Sequence, residues 1–395
     1  MAGNLPADGG PIPFGMATVA QRPESIVKGA ATTTGERIFN FSAGPGCLPE
    51  EVLRQAQTDL WNIGGSGVGI LEHSHRGKVF DKVLAEAEEN CRKIGNIPAN
   101  YKVLFLTGGA TSQNFMVPAN LLPQDATADY LTTGYWTEKS AEQARLYGTV
   151  HEAWDGRPHK HAFIPVDDQI KYSGKPAYVH YCSNNTIYGT QWHRVPKAPA
   201  GVPLVCDASS DIYSEPIDIT KYGLIYAGAQ KNIGIAGTTL VIIRDDLLER
   251  RPRELPVMLQ YRVHAADQSR HNTPPAFAIY MSGLVFKWIL AQGGVTALAK
   301  RNAEKAKIIY DLLDGSSFYQ GHARADSRSL MNLTFRCPTA ELDDKFVKEA
   351  GAQGMDSLKG HRATGGMRAS LYNAFPRAGC DALAQFMQEF ERKNG

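Results

Sequence analysis

From Phe39 onward, short uninterrupted apolar runs alternate with stretches whose apolar residues recur every three or four positions. Lys102-Val103-Leu104-Phe105-Leu106-Thr107 has the length of a buried strand, and the runs at 129–133, 177–181, 203–207 and 223–227 repeat its design. Leu240-Val241-Ile242-Ile243 is another. Continuous rather than alternating hydrophobicity marks strands covered on both faces. A helix is predicted over 49–61, with Pro49 in its first turn and Glu50 and Glu51 suited to the positive end of its dipole. A second is predicted over about 79–94, where Val79, Val83, Leu84 and Ala87 form one apolar face. This order predicts an α/β fold around a mostly parallel sheet, with functional groups at the carboxyl ends of the strands.

The texture changes after about residue 290. A long basic helix is predicted over 295–313, followed by a strand at 331–335, a helix at 340–350, a strand at 369–372 and a final helix at 379–393. That is the order of a small α+β unit. The chain therefore divides into an extension (1–36), a large domain (37–290) and a small C-terminal domain (291–395). The extension shows no sustained helix or strand period and reads as flexible. With few arginines and no apolar central segment, it matches neither a secretory nor a transit signal clearly.

Composition narrows the classes. The chain has 395 residues, 43% of them hydrophobic, enough for a sizeable core. Its 42 Lys+Arg against 40 Asp+Glu leave a formal charge of only +2, which argues against a nucleic-acid or membrane partner. The six cysteines are scattered, without CxxC pairs or a His cluster at metal-ligand spacing. They read as reduced thiols, and no metal is expected. No apolar run approaches the ~18 residues of a membrane-spanning helix.

Several residues at strand ends carry chemistry. Gly108-Gly109-Ala110-Thr111-Ser112 follows a strand and opens a helix, which aims backbone N–H groups at one point and suits a phosphate. A packed strand–helix turn is the bland alternative. Asp207 ends one apolar run and suits either a helix cap or a partner for a protonated ring nitrogen. Lys231, in Gly228-Ala229-Gln230-Lys231-Asn232, sits just past the next strand, where a desolvated amine becomes a nucleophile that forms Schiff bases. Trp136, after the 129–133 strand, offers a face for stacking or a core side chain. Together they call for pyridoxal phosphate, which needs an amine, an acid at its ring nitrogen and a phosphate cup. Two loop-borne cation clusters, His73-Ser74-His75-Arg76-Gly77-Lys78 and Lys359-Gly360-His361-Arg362 with Arg368, suit a substrate with more than one anionic end.

At this point the residues match a known pattern. Phe39-Asn40-Phe41-Ser42-Ala43-Gly44-Pro45, Ser74-His75-Arg76-Gly77-Lys78, Gly228-Ala229-Gln230-Lys231-Asn232, Asn272-Thr273-Pro274-Pro275 and Gly366-Met367-Arg368-Ala369-Ser370-Leu371-Tyr372-Asn373 follow one another in order. The chain resembles the phosphoserine aminotransferase family, class V members of the fold-type I pyridoxal phosphate enzymes, over about residues 37–395. The resemblance implies a large domain with a mostly parallel seven-stranded sheet plus the small α+β domain. It implies transfer of an amino group from L-glutamate, which leaves as 2-oxoglutarate, to 3-phosphohydroxypyruvate, which leaves as O-phospho-L-serine. Lys231 and Asp207 would be catalytic. Ala110, Thr111, Trp136, Thr186 and Gln230 would hold the cofactor, with Thr186 near its 3′ oxygen. Asn272 and Thr273 would reach the cofactor phosphate from the other subunit of a homodimer. Arg368 would take the substrate α-carboxylate, and His75, Arg76, His361 and Arg362 the phosphate or distal carboxylate. The glycine turn departs from the family's usual GGGxGQF by placing Ala110 third. Rival readings are another class V enzyme, of alanine–glyoxylate aminotransferase or cysteine desulfurase type, and a Rossmann-type nucleotide-binding protein. The expected compartment is the cytoplasm, or a plastid if residues 1–36 are a trimmed transit segment.

Overall fold

Seven strands form the central sheet of the computed structural model, which describes residues 37–395. The extension expected over residues 1–36 lies outside the described residues. In spatial order the strands are Tyr101–Thr107, Thr238–Arg244, Leu224–Gly228, Leu204–Asp207, Val179–Cys182, Thr127–Thr132 and Thr149–Asp155. All run parallel except Thr238–Arg244, which is antiparallel to both neighbours. The mostly parallel seven-stranded sheet is as expected, and each apolar run singled out in the sequence lies in it.

Strand side chains alternate between two cores, as the pleat requires. Val103 and Phe105 join a core with Phe80, Leu84 and Phe286, while Leu104 and Leu106 join one with Met116, Val117 and Leu121. The first core is roofed by the helices Lys78–Gly95 and Ala276–Ala291, the second by Gln113–Leu121 and Tyr135–Ala144. The Ala276–Ala291 helix is apolar on every side, so it carries no polar–apolar period and the sequence reading passed over it. The edge strand Thr149–Asp155 escaped for the opposite reason: it reads TVHEAWD and stays half-exposed along most of its length. Among the described residues, no single helix is long and apolar enough to cross a membrane.

A separate core gathers around Phe346, whose ring meets Phe386, Phe390 and Phe335 edge-on at 4.9, 5.1 and 5.8 Å. It is closed by the helices Gly294–Gly315, Ala340–Ala352 and Arg377–Asn394 and by a three-stranded antiparallel sheet of Gln320–Gly321, Asn332–Arg336 and Met367–Ser370. Phe39 and Phe41 also belong to this core, and Phe39–Asn40 pairs in parallel with Met355–Asp356. The start of the described chain thus crosses to residues more than 300 positions later. On its way back to the Glu50–Trp61 helix it passes the carboxyl ends of the central strands, and this is where the chemistry-bearing residues meet.

Candidate active site

The Tyr101–Thr107 strand ends in a turn that only glycine adopts without strain: Gly108 has φ 99°. Its N–H bonds Gly237 O at 2.9 Å, which aims the chain into a short helical turn at Ala110–Ser112 and then the helix Gln113–Leu121. The first N–H groups of a helix have no partner within it, so this end presents donors and the positive end of the dipole. Gly134 seats the next element. A Cβ there would lie 2.3 Å from Asn185 Oδ1, so its absence lets the Tyr135–Ala144 helix start against the cavity wall with Trp136 in its first turn.

Asp207 ends its strand with one carboxylate oxygen, Oδ1, accepting from Ser209 N at 3.0 Å and Ser209 Oγ at 2.6 Å. Burial pushes this carboxyl above its ordinary pKa, while Lys231 and the Ser209 bonds pull it back. Lys231 shows the complementary effect: burial lowers its amine, Asp207 opposes that, and Arg368 adds to it. A lysine held this way gives up its proton more readily than a solvated one, as a nucleophilic amine must. Lys231 Nζ sits 5.5 Å from the centroid of the Trp136 ring. Trp136 Nε1 donates to Thr186 Oγ1 at 3.1 Å, which locks the indole plane.

Of the residues expected from sequence, Ala110, Thr111, Trp136, Thr186, Asp207, Gln230, Lys231, His361 and Arg368 line one cavity of about 330 Å³. Thr186 also braces its neighbours. Its hydroxyl is engaged by Trp136, and its carbonyl accepts from Arg368 at 3.1 Å. His361 sits beside Arg368 and Arg362, and burial with these two cations lowers its pKa from the ordinary imidazole value. Arg362 itself is exposed on the adjoining turn and does not line the cavity.

Four expected residues are elsewhere in a single chain. Arg76 lines a surface cleft with Asp81, Arg270 and His271, and neighbouring His75 has its Nε2 buried without a partner among the described residues. Asn272 bonds Thr107 Oγ1 at 3.3 Å and Thr273 O at 3.1 Å, and Thr273 is exposed. The cavity contains residues the sequence reading did not single out as ligands, among them Asn114, Cys182, Asn184, Ser209 and Ser210. Only Ser209 had a legible signal, since Asp-x-Ser favours the local Asp-to-backbone bond seen here. Burial pushes the thiols of Cys47, Cys91, Cys182, Cys206, Cys337 and Cys380 all upward, so none of them is an activated nucleophile.

The donor set fits pyridoxal phosphate. An amine of lowered basicity faces a buried carboxylate across a cavity bounded by an indole, and helix-start N–H groups lie at one end. Gln230, which lines the same cavity, has a buried Oε1 without a partner among the described residues.

Comparison with known proteins agrees with this geometry. The family model for class-V aminotransferases matches residues 38–383. The phosphoserine aminotransferase of Lysinibacillus sphaericus strain C3-41 is 52% identical over 360 residues, 91% of this chain and 99% of its own. A solved phosphoserine aminotransferase from Bacillus circulans subsp. alkalophilus is 44% identical with a TM-score of 0.89, covering 91% of this chain and 100% of that one. The PLP-bound phosphoserine aminotransferase from Trichomonas vaginalis is 38% identical with a TM-score of 0.85, covering 89% of this chain and 100% of that one. With its strand-end lysine and aspartate arranged as such an enzyme needs, the chain belongs to the class-V aminotransferase family, in its phosphoserine aminotransferase branch.

Proposed function

We propose that this enzyme transfers an amino group reversibly between L-glutamate and 3-phosphohydroxypyruvate, giving 2-oxoglutarate and O-phospho-L-serine. The observation that carries the reading is the pairing of Lys231 and Asp207 in one cavity with Arg368 and His361 at its rim. Bound pyridoxal phosphate supplies the carbonyl carbon that accepts the amino group and a ring that spreads negative charge from the substrate Cα. Everything else falls to the chain. Lys231 provides the amine and, at Nζ, takes and returns the Cα proton. Asp207 holds a proton on the ring nitrogen, and the two Ser209 bonds to its Oδ1 favour the carboxylate form that this needs. Trp136, fixed by Thr186, covers one face of the cavity and keeps water from it. Arg368 takes the α-carboxylate common to all substrates. His361 and Arg362 meet the phosphate or the distal carboxylate, which explains how one site accepts phosphoserine and glutamate in turn.

The active form is a homodimer with shared sites. His75, Arg76, Asn272 and Thr273 lie outside the cavity of their own chain, and the unpartnered His75 Nε2 supports a contact made by a second copy. The direct test is to incubate the enzyme with phosphoserine and 2-oxoglutarate and to measure glutamate. Formation no faster than with the Lys231→Ala variant would sink the assignment.

A further inference from the structure

The cavity wall that carries Thr186 is stitched to the small three-stranded sheet by polar bonds with a two-residue period. Asn184 Nδ2 donates to Asn332 Oδ1 at 2.8 Å, Arg368 Nη1 to Thr186 O at 3.1 Å, and Thr334 Oγ1 to Tyr188 O at 3.0 Å. In the antiparallel register Asn332 lies opposite Ser370 and Thr334 opposite Arg368, so all four side chains share one face of the sheet. The intervening residues Leu333, Phe335, Met367 and Ala369 point the other way, into the Phe346 core.

Asn332 is the centre of this seam. It is completely buried, and its amide meets a partner at every position. Nδ2 donates to Ser370 Oγ at 2.9 Å and to Tyr372 Oη at 3.3 Å, and the Tyr372 hydroxyl in turn donates to Ala43 O at 2.7 Å. Asn184 is equally enclosed, donating also to Ser210 Oγ at 2.8 Å and accepting from Ser329 Oγ at 2.5 Å. A fully satisfied buried amide network tolerates one geometry only, because any slip leaves several polar groups unpaired. Arg368 hangs from that network, two residues before Ser370 on the same face. Its recorded bond is to a carbonyl, and among the described residues it has no carboxylate partner.

We propose that Asn332 is a positioning residue for the substrate carboxylate: by holding the sheet against Asn184 it sets where the Arg368 guanidinium reaches. The inference rests on the reading of Arg368 as the carboxylate-binding cation. It makes no contact with substrate itself, so its influence runs through Arg368.

The experiment is a double-mutant cycle in the holoenzyme, with Asn332→Leu and Arg368→Ala singly and together. KM for glutamate and the calorimetric Kd for glutarate, an unreactive dicarboxylate, are read alongside kcat and the absorbance of bound cofactor. Asn332→Leu should raise both KM and Kd roughly tenfold, leave kcat within about threefold, and add almost nothing once Arg368 is gone. Ser370→Ala, a milder cut of the same network, should move KM and Kd in the same direction by about threefold and serves if Asn332→Leu does not fold. The same fold-increase with and without Arg368, or a fall in kcat at unchanged KM, would overturn the proposal. If Arg368→Ala alone leaves KM and Kd unchanged, the reading of Arg368 fails instead.

Discussion

Ser209 ties the end of one central strand to the end of the next through Asp207. Its hydroxyl donates to Asp207 Oδ1 at 2.6 Å and accepts from Gly228 N at 3.1 Å, three residues before Lys231. One side chain therefore orients the acid and anchors the turn that presents the amine. Ser209→Ala should weaken retention of pyridoxal phosphate about tenfold, since a charge-assisted bond is lost while Gly228 N–H is left without its acceptor. Equilibrium dialysis followed by absorbance checks this. Unchanged retention would mean that the backbone N–H of Ser209 alone suffices to orient the carboxylate.

The rim position of Arg362 makes it the test of phosphate recognition. It is exposed and next to His361, not against Lys231 or Asp207. Arg362→Ala should raise KM for phosphoserine by roughly 10- to 100-fold, the worth of a lost charge-assisted pair, and leave cofactor binding nearly intact. Steady-state kinetics with phosphoserine and unphosphorylated serine decide it. Equal losses for both contradict the role.

The proposed sharing of sites between two copies predicts rescue between two dead variants. Lys231→Ala and Asn272→Asp are each expected to be inactive as homodimers. Co-expressed, they form mixed dimers in which one site combines the intact Lys231 with the intact Asn272 of the other chain. Random pairing should restore about a quarter of wild-type activity. No recovery would place Asn272 and Lys231 in the site of the same chain.

Lys305 gives the molecule a pH-dependent strut. It is only 4% exposed, and its Nζ donates to Leu371 O, Tyr372 O and Phe375 O at 2.9, 2.7 and 3.2 Å, clamping the turn after the Arg368 strand. Burial lowers its pKa to about 8, with Cys380 and Cys47 opposing and Arg301 assisting. An unfolded lysine titrates near ~10.4, so between that pH and about 8 the unfolded chain holds a proton that the native chain has released. The contribution of Lys305 to stability therefore rises with pH across that window, by up to ~1.4 kcal/mol per unit, and is constant below it. Lys305→Met should cost about 1–3 kcal/mol at pH 7, and the gap to wild type should widen toward pH 10. Urea unfolding at a series of pH values measures it. A gap that stays flat to pH 10 would show that the amine keeps its proton in the native state across that window.

How much was legible in the chain itself follows from the range of each interaction. Strand length, the glycine turn at 108–109 and the placing of Asp207 and Lys231 just after apolar runs are local features, and a parallel sheet automatically collects the residues at its carboxyl ends. Class of fold and cofactor were therefore legible in the sequence alone, as was the meeting of Lys231 and Asp207 in one cavity. Tertiary structure decided the rest. Whether Thr186 uses its hydroxyl on Trp136, whether Asn332 meets Asn184, and whether Lys305 finds three carbonyls depend on pairs 50 to 148 residues apart. No local period encodes these pairs. The cations divide the same way: His361 and Arg368 enter the cavity because their turn and strand pack against the Thr186 wall, while Arg76 lines a surface cleft of the same chain. Charge and residue type could announce an anionic substrate, but only packing could show which cations one chain brings to it.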